Sequence, residues 1–183
     1  MGKLIGVLAS GAGSNLQALL DARLPVVAVA SNVSGAGALE RAAGARIPTA
    51  VFRLEAYADR DARDAAMADW LEARGVRLVV CAGYMQLLRP AFLGRFPGAV
   101  VNVHPALLPA FPGAHAVADA LAAGVDESGA TVHLVDYGVD TGPVLRQERV
   151  PVHRDDTLES LHARIRQVEH RLLPSVVREL IEA

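Results

Sequence analysis

Ala99-Val100-Val101-Asn102-Val103-His104-Pro105 is an apolar run with an amide and an imidazole set into it two residues apart. Valine-rich runs of this length form strands, and strand side chains alternate with period 2. Asn102 and His104 therefore project to the same face. Asn is a poor strand former, so its place here calls for a chemical reason rather than a conformational one. Pro105 holds His104 extended and bars a helix from continuing through it. The strand ends at His104 with two polar side chains at its carboxyl edge. In open α/β sheets that edge is where ligands bind.

Outward from this strand the same pattern recurs. Apolar runs at Leu4–Ala9, Val26–Ala30, Thr49–Phe52, Leu78–Cys81, Thr131–Val135 and Val144–Val150 read as further strands. Amphipathic stretches at Asn15–Ala22, Ala36–Ala43, Asp59–Ala73, Pro90–Arg95, Ala116–Ala122 and Thr157–Glu182 read as helices. Strands that are apolar throughout are covered on both faces, which predicts a mainly parallel sheet. The last two strands are joined only by the turn Asp136–Gly142, too short for a crossover helix, so they pair antiparallel. The expected fold is α/β: an open, mainly parallel twisted sheet, Rossmann-like in its first half, with an antiparallel final strand pair and a long C-terminal helix.

Nothing divides the 183 residues into separate domains: no linker-like stretch, charge block or repeat interrupts them. Apolar residues make up 52% and aromatics only 4%, so the core is built from Val, Leu, Ile and Ala. A formal charge of −2 argues against a strongly electrostatic nucleic-acid or membrane partner. The single Cys, Cys81, permits no intrachain disulfide and fits a reducing, cytoplasmic compartment. The apolar start of the chain breaks at Ser10-Gly11 and reads as a buried strand rather than a signal peptide. No segment approaches the roughly 18–20 apolar residues of a membrane span.

Ser10-Gly11-Ala12-Gly13-Ser14-Asn15 follows the first strand and opens a helix. Its glycines allow a tight turn and close backbone approach, and the free N–H groups of the helix start form an anion site. Ser14 is the expected N-cap. Leu16 stands where a dinucleotide fingerprint needs a third glycine, and Ser31-Asn32 replace the acidic end of the second strand. A phosphate monoester suits this loop better than NAD, although a plain strand-to-helix turn has the same appearance.

A single imidazole needs an orienting or charge-stabilising partner. Asp140, in Tyr137-Gly138-Val139-Asp140-Thr141-Gly142-Pro143, is the best candidate, yet Asp is also a common turn former. His133 belongs to a strand and reads equally as a cleft residue or a core residue. No His or Cys pair has compact metal-ligand spacing, so no metal is expected. Cys81 ends an apolar strand and reads as a small buried hydrophobe. An amide beside an imidazole with a carboxylate nearby suits acyl transfer to an amine. Asn102 would donate to the oxygen that becomes negative, His104 would move the proton, and an ionised Asp140 would stabilise the imidazolium.

The motifs also occur in the order of a known family. Ser10-Gly11-Ala12-Gly13-Ser14-Asn15-Leu16-Gln17-Ala18, Ala82-Gly83-Tyr84-Met85, Asn102-Val103-His104-Pro105-Ala106-Leu107-Leu108-Pro109, Thr131-Val132-His133 and Val139-Asp140-Thr141-Gly142-Pro143 resemble the folate-dependent phosphoribosylglycinamide formyltransferases over nearly the whole chain. The resemblance implies transfer of a formyl group from 10-formyltetrahydrofolate to the glycinamide amine in purine biosynthesis. It implies small-molecule substrates and a monomer or homodimer. It matches Asn102, His104 and Asp140 to the catalytic trio. Gly13, Ser14, Asn15 and Glu169 match the ribose-phosphate site. Arg60, Met85, Gln86, Leu87, Leu88 and again Asn102 match the folate site. It further implies one formyltransferase domain over 1–183, with a phosphate-binding half at about 1–100 and a folate and catalytic half at about 101–183. Ala106 stands where Ser is usual, Ala110 where some members carry Lys, and Gln86 where some carry Arg.

Related readings fit less well. Methionyl-tRNA formyltransferases share the Asn-x-His core but add a basic domain, and this chain has neither that length nor that charge. Formyltetrahydrofolate hydrolases add an N-terminal regulatory domain, whereas the first strand here begins almost at Met1. A sugar-nucleotide formyltransferase fits the phosphate loop less well. A non-catalytic phosphate-binding module would have no need for Asn102, His104 and Asp140 to converge.

Overall fold

The computed structural model describes residues 2–183. Seven strands form one sheet in the order β3-β2-β1-β4-β5-β6-β7. They are β1 (Leu4–Leu8), β2 (Val26–Ser31), β3 (Thr49–Val51), β4 (Val76–Cys81), β5 (Val100–His104), β6 (Glu127–Leu134) and β7 (Val144–Pro151). Six helices connect and close them: α1 (Ser14–Asp21), α2 (Gly37–Gly44), α3 (Arg60–Glu72), α4 (Pro90–Leu93), α5 (Ala116–Ala123) and α6 (Leu158–Glu182). Strands β1 to β5 run parallel, and β5–β6 and β6–β7 are antiparallel.

The antiparallel β6–β7 pair is as expected from its short connection. The β5–β6 pairing is an addition to the sequence-based picture. A helix lies between these strands, as in a parallel crossover, but the chain leaves β5 at His104 and re-enters β6 on the same edge, where His104 faces Thr131. That register sets His133 directly opposite Asn102.

The β1 side chains show how the sheet divides the core. Ile5 and Val7 face one layer, packed with Leu16 and Leu19 of α1, Ala38 and Ala42 of α2, and the apolar stripe of α6. Leu8 faces the opposite layer, with Met67, Ala68 and Leu71 of α3 and Phe92 of α4. Strands buried on both sides account for the runs that do not alternate in polarity. Helix α6 starts at a capping box: Thr157 accepts from the Ser160 N–H while the Ser160 hydroxyl accepts from Thr157 N–H. Its buried stripe of Leu161, Ile165, Leu172, Leu173 and Val176 lays it across the sheet, with Glu169 in the same buried face.

After β1 the chain winds outward to β2 and β3, then returns to place β4 on the other side of β1. The crevice between the carboxyl ends of β1 and β4 is thus the topological switch point, the expected ligand position in such sheets.

Candidate active site

A cavity of about 600 Å³ opens at this switch point. Its lining draws on the loop after β1, the segment after β4, the end of β5, the β6–β7 turn and α6, and so on both halves of the chain.

The loop after β1 is braced from behind. Gly13 has a left-handed φ of +77°, and a Cβ there would stand 2.6 Å from the Cα of Ala38 at the start of α2. Only glycine satisfies both constraints. Ala38 N–H donates to Gly11 O at 3.0 Å, and Arg41 Nε donates to Ala12 O at 2.7 Å. Ser14 is the first helical residue rather than the N-cap expected from sequence. Gly13 takes the cap position without a side-chain cap, because the packing of α2 demands the glycine conformation there. Gly13, Ser14 and Asn15 all line the cavity.

Asn102 and His104 turn away from the layer that holds Val101 and Val103 and into the cavity. Asp140 meets them from the β6–β7 turn. Its Oδ2 lies 3.4 Å from His104 Nδ1 and accepts the Gly113 N–H at 2.8 Å, and its Oδ1 lies 3.5 Å from His133 Nε2. The question left open by the sequence is thereby answered for distance: the carboxylate reaches both rings. His133 contributes most to holding the Asp140 carboxyl below the ordinary carboxylate range, against partial burial. The Gly113 N–H and the His104 ring add to this.

Hydrogen bonding constrains both rings. His104 Nε2 is 2.7 Å from the Phe111 carbonyl, which can only accept, so this nitrogen carries a proton. Its other nitrogen faces Asp140. His133 Nδ1 donates to the Leu134 carbonyl at 2.9 Å. His133 Nε2 lies between Asn102 Nδ2, at 3.2 Å, and Asp140. With Nδ1 donating, Nε2 can accept from Asn102 Nδ2. His133 is therefore a core residue and a cleft residue at once. The antiparallel β5–β6 register, which sets it opposite Asn102, is the signal that would have assigned it.

Glu169, also in the cavity lining, is buried and accepts from Asn15 Nδ2 at 3.1 Å. Burial pushes its carboxyl up to about 7, opposed by the Asn15 bond and the charge of Arg166. Asn15 Oδ1 is buried without a partner among the described residues. Arg166, one turn before Glu169 on α6, is the only Arg or Lys among the described residues that line the cavity. It escaped the sequence reading, although its i−3 spacing from Glu169 places both on one face of a helix.

Met85, Gln86, Leu87 and Leu88 line the cavity as an irregular segment after β4. Met85 and Leu87 are 62% and 53% exposed, apolar side chains left out of the core along the cavity. Arg60 lies apart: it is the exposed first residue of α3 and is not among the cavity-lining residues. Cys81 lines the cavity but is buried, and its thiol is pushed up to about 12, which leaves no thiolate for nucleophilic chemistry.

The chain has counterparts among known proteins. A family model described as formyl transferase matches residues 3–177. A phosphoribosylglycinamide formyltransferase of Mycobacterium tuberculosis is 52% identical over 178 residues, covering 95% of this chain and 83% of the relative. Glycinamide ribonucleotide transformylase 1 from Symbiobacterium toebii has the same fold with a TM-score of 0.96 at 47% identity, covering 99% of this chain and 88% of the other. The phosphoribosylglycinamide formyltransferase from Streptococcus pneumoniae gives a TM-score of 0.94 at 45% identity, covering 98% and 99%. Shared over nearly the full length in sequence and in fold, these likenesses show that the chain belongs to the phosphoribosylglycinamide formyltransferase family and is a formyltransferase.

Proposed function

We propose that the enzyme transfers the formyl group of 10-formyltetrahydrofolate to the amine of 5-phosphoribosylglycinamide. The observation that carries this reading is the convergence of Asn102, His104 and Asp140 in one cavity that the Gly13–Asn15 loop also lines. The substrate phosphate sits on the backbone N–H groups of that loop, at the positive end of α1, with Arg166 as its counter-charge. The ribose hydroxyls meet Glu169, whose carboxyl accepts from Asn15 Nδ2. The pterin of the folate lies against Met85–Leu88 and the Tyr137–Asp140 turn. Arg60, which lies outside the cavity lining, is tied to the folate by the family resemblance alone.

The amine attacks the formyl carbon directly. Asn102 donates an N–H to the oxygen that gains negative charge, an effect worth about 10²–10³ in rate for one donor. His104 carries the proton from the attacking amine to N10 of the folate as the bond from the formyl carbon to N10 breaks. Asp140 stabilises the protonated ring. Because His104 Nε2 is bonded to the Phe111 carbonyl, entry of the substrates must displace the loop at Ala110–Gly113 to free this nitrogen. Phe111 is held at a left-handed φ of +52°, a conformation costly for a non-glycine residue, which favours such a release.

The decisive measurement is a formyl-transfer assay with 10-formyltetrahydrofolate, comparing glycinamide ribonucleotide with other amines. Turnover of the ribonucleotide is expected, with kcat largely lost in Asn102→Ala and His104→Ala. Folded protein that fails to turn over the ribonucleotide would refute the assignment.

A further inference from the structure

We propose that the buried Arg63–Asp64 ion pair of α3 is the positioning device of the folate wall, holding Met85–Leu88 through Gln86 and the backbone of Arg89. This inference rests on the folate reading of that wall.

The pair is buried completely, with side-chain exposures of 1% and 0%. Removing two charges from water costs several kcal/mol per ion, and apolar residues in their place would pack at least as well. Its partners show what it does instead. Asp64 Oδ1 accepts from Arg63 Nε at 2.9 Å and from Nη2 at 2.7 Å. Asp64 Oδ2 accepts the backbone N–H of Arg89 at 2.7 Å. The remaining arm of the guanidinium, Nη1, donates to Gln86 Oε1 at 3.2 Å, and Gln86 Nε2 donates to the Met85 carbonyl at 3.0 Å. One ion pair thus grips the segment on both sides of Leu87-Leu88.

The segment needs this grip. Met85–Leu88 belongs to no helix or strand, so no backbone ladder fixes it. Its first residue is tied elsewhere: Met85 N–H donates to Ser10 Oγ at 2.8 Å, and the Ser10 hydroxyl donates to Asn32 Oδ1 at 2.6 Å. Ser10 opens the phosphate loop, so the wall hangs between that loop and α3. An irregular segment that presents apolar side chains to a cavity keeps its shape only if polar groups behind it take the place of secondary structure. Lys cannot replace Arg63 here, because one ammonium cannot supply two N–H groups to Asp64 and a third to Gln86 in a plane.

The experiment measures tetrahydrofolate binding by titration calorimetry for wild type, Arg63→Lys, Gln86→Leu and the double variant. KM for the ribonucleotide and thermal unfolding are followed alongside. Arg63→Lys is expected to weaken tetrahydrofolate binding about fivefold to tenfold, the size of one lost hydrogen bond, with KM for the ribonucleotide unchanged within about twofold. Because Arg63 acts through Gln86, the double variant should bind no more weakly than the worse single variant. Unchanged folate binding, additive losses, or equal weakening of both substrates would overturn the proposal while leaving the folate reading intact. Absence of saturable tetrahydrofolate binding by wild type would overturn both. Should Arg63→Lys fail to fold, amide exchange at Gln86–Leu88 in Gln86→Leu decides: faster exchange confined to that segment supports the strut, and unaltered exchange refutes it.

Discussion

Replacing Asp140 with Asn removes one charge from the centre of the proposed chemistry and almost nothing else. Asp140 has a left-handed φ of +54°, a conformation that Asn also tolerates. The Asn side-chain oxygen can still accept the Gly113 N–H now bonded at 2.8 Å. What disappears is the negative charge that lies 3.4 Å from His104 Nδ1 and 3.5 Å from His133 Nε2. At that distance a unit charge pair interacts by about 1 kcal/mol in bulk water and by about 5 kcal/mol at an effective dielectric constant of 20. The two side chains are only 5% and 14% exposed, which favours the upper part of this range. A central figure of about 3 kcal/mol corresponds to a loss of roughly 10² in the rate of any step that protonates His104. The assay is single-turnover formyl transfer with both substrates saturating, which reads the chemical step without product release. Thermal unfolding of the same variant provides the control for folding. A folded Asn variant whose single-turnover rate stays within threefold of wild type would refute the role given to Asp140.

Three further outcomes follow from the same geometry. Gly13→Ala forces a Cβ to within 2.6 Å of Ala38 Cα at a φ of +77°, so KM for the ribonucleotide should rise about tenfold or more while KM for the folate stays near wild type; equal changes in both would argue against a phosphate loop. Glu169 keeps its proton up to about 7 in the folded protein but only to about 4.5 when unfolded, so the stability it contributes is present below about pH 4.5 and is lost as pH rises through about 7. Replacing it with Gln should therefore shrink the fall in Tm between about pH 5 and pH 8, measured by calorimetry, by an amount equivalent to roughly 3 kcal/mol. The Cys81 thiol, buried and pushed up to about 12, should resist iodoacetamide at about pH 8 in native protein and react on unfolding, as read by intact mass.

Legibility of the site in the sequence followed the range of each interaction. Asn102 and His104 were visible together because a strand's period of 2 is a local rule that needs no partner. Gly13 was visible because a glycine between a strand and a helix has few other uses, though its cap position was not: that depends on Ala38, which lies in the next helix. His133 is where local reasoning stopped. Its place depends on the β5–β6 register, a pairing between strands that α5 and its flanking loops separate in the chain. Arg60 came from resemblance alone and stands on the surface, whereas the buried Arg63 one turn further on bonds to Gln86 in the segment that lines the cavity. No periodicity distinguishes these two arginines, because what buries one of them is the Asp64 beside it and the segment beyond.

The two aspartates of the β6–β7 turn show why residue type alone could not settle the carboxylate. Asp136 and Asp140 both sit in a Gly-containing turn, and either could have been the turn former. Asp136 is the one that closes the turn. Its Oδ1 accepts the Gly138 N–H at 3.0 Å and the Thr141 hydroxyl at 2.7 Å, and the Thr141 bond contributes most to holding its carboxyl low. Asp140 therefore keeps both oxygens for other partners and gives them to His104, His133 and Gly113. The left-handed backbone at Asp140 then has a use beyond the turn, since it aims the carboxylate back across β6 towards the end of β5. Turn closure and contact with the two imidazoles are divided between two identical side chains four residues apart, and only the partners of each reveal the division.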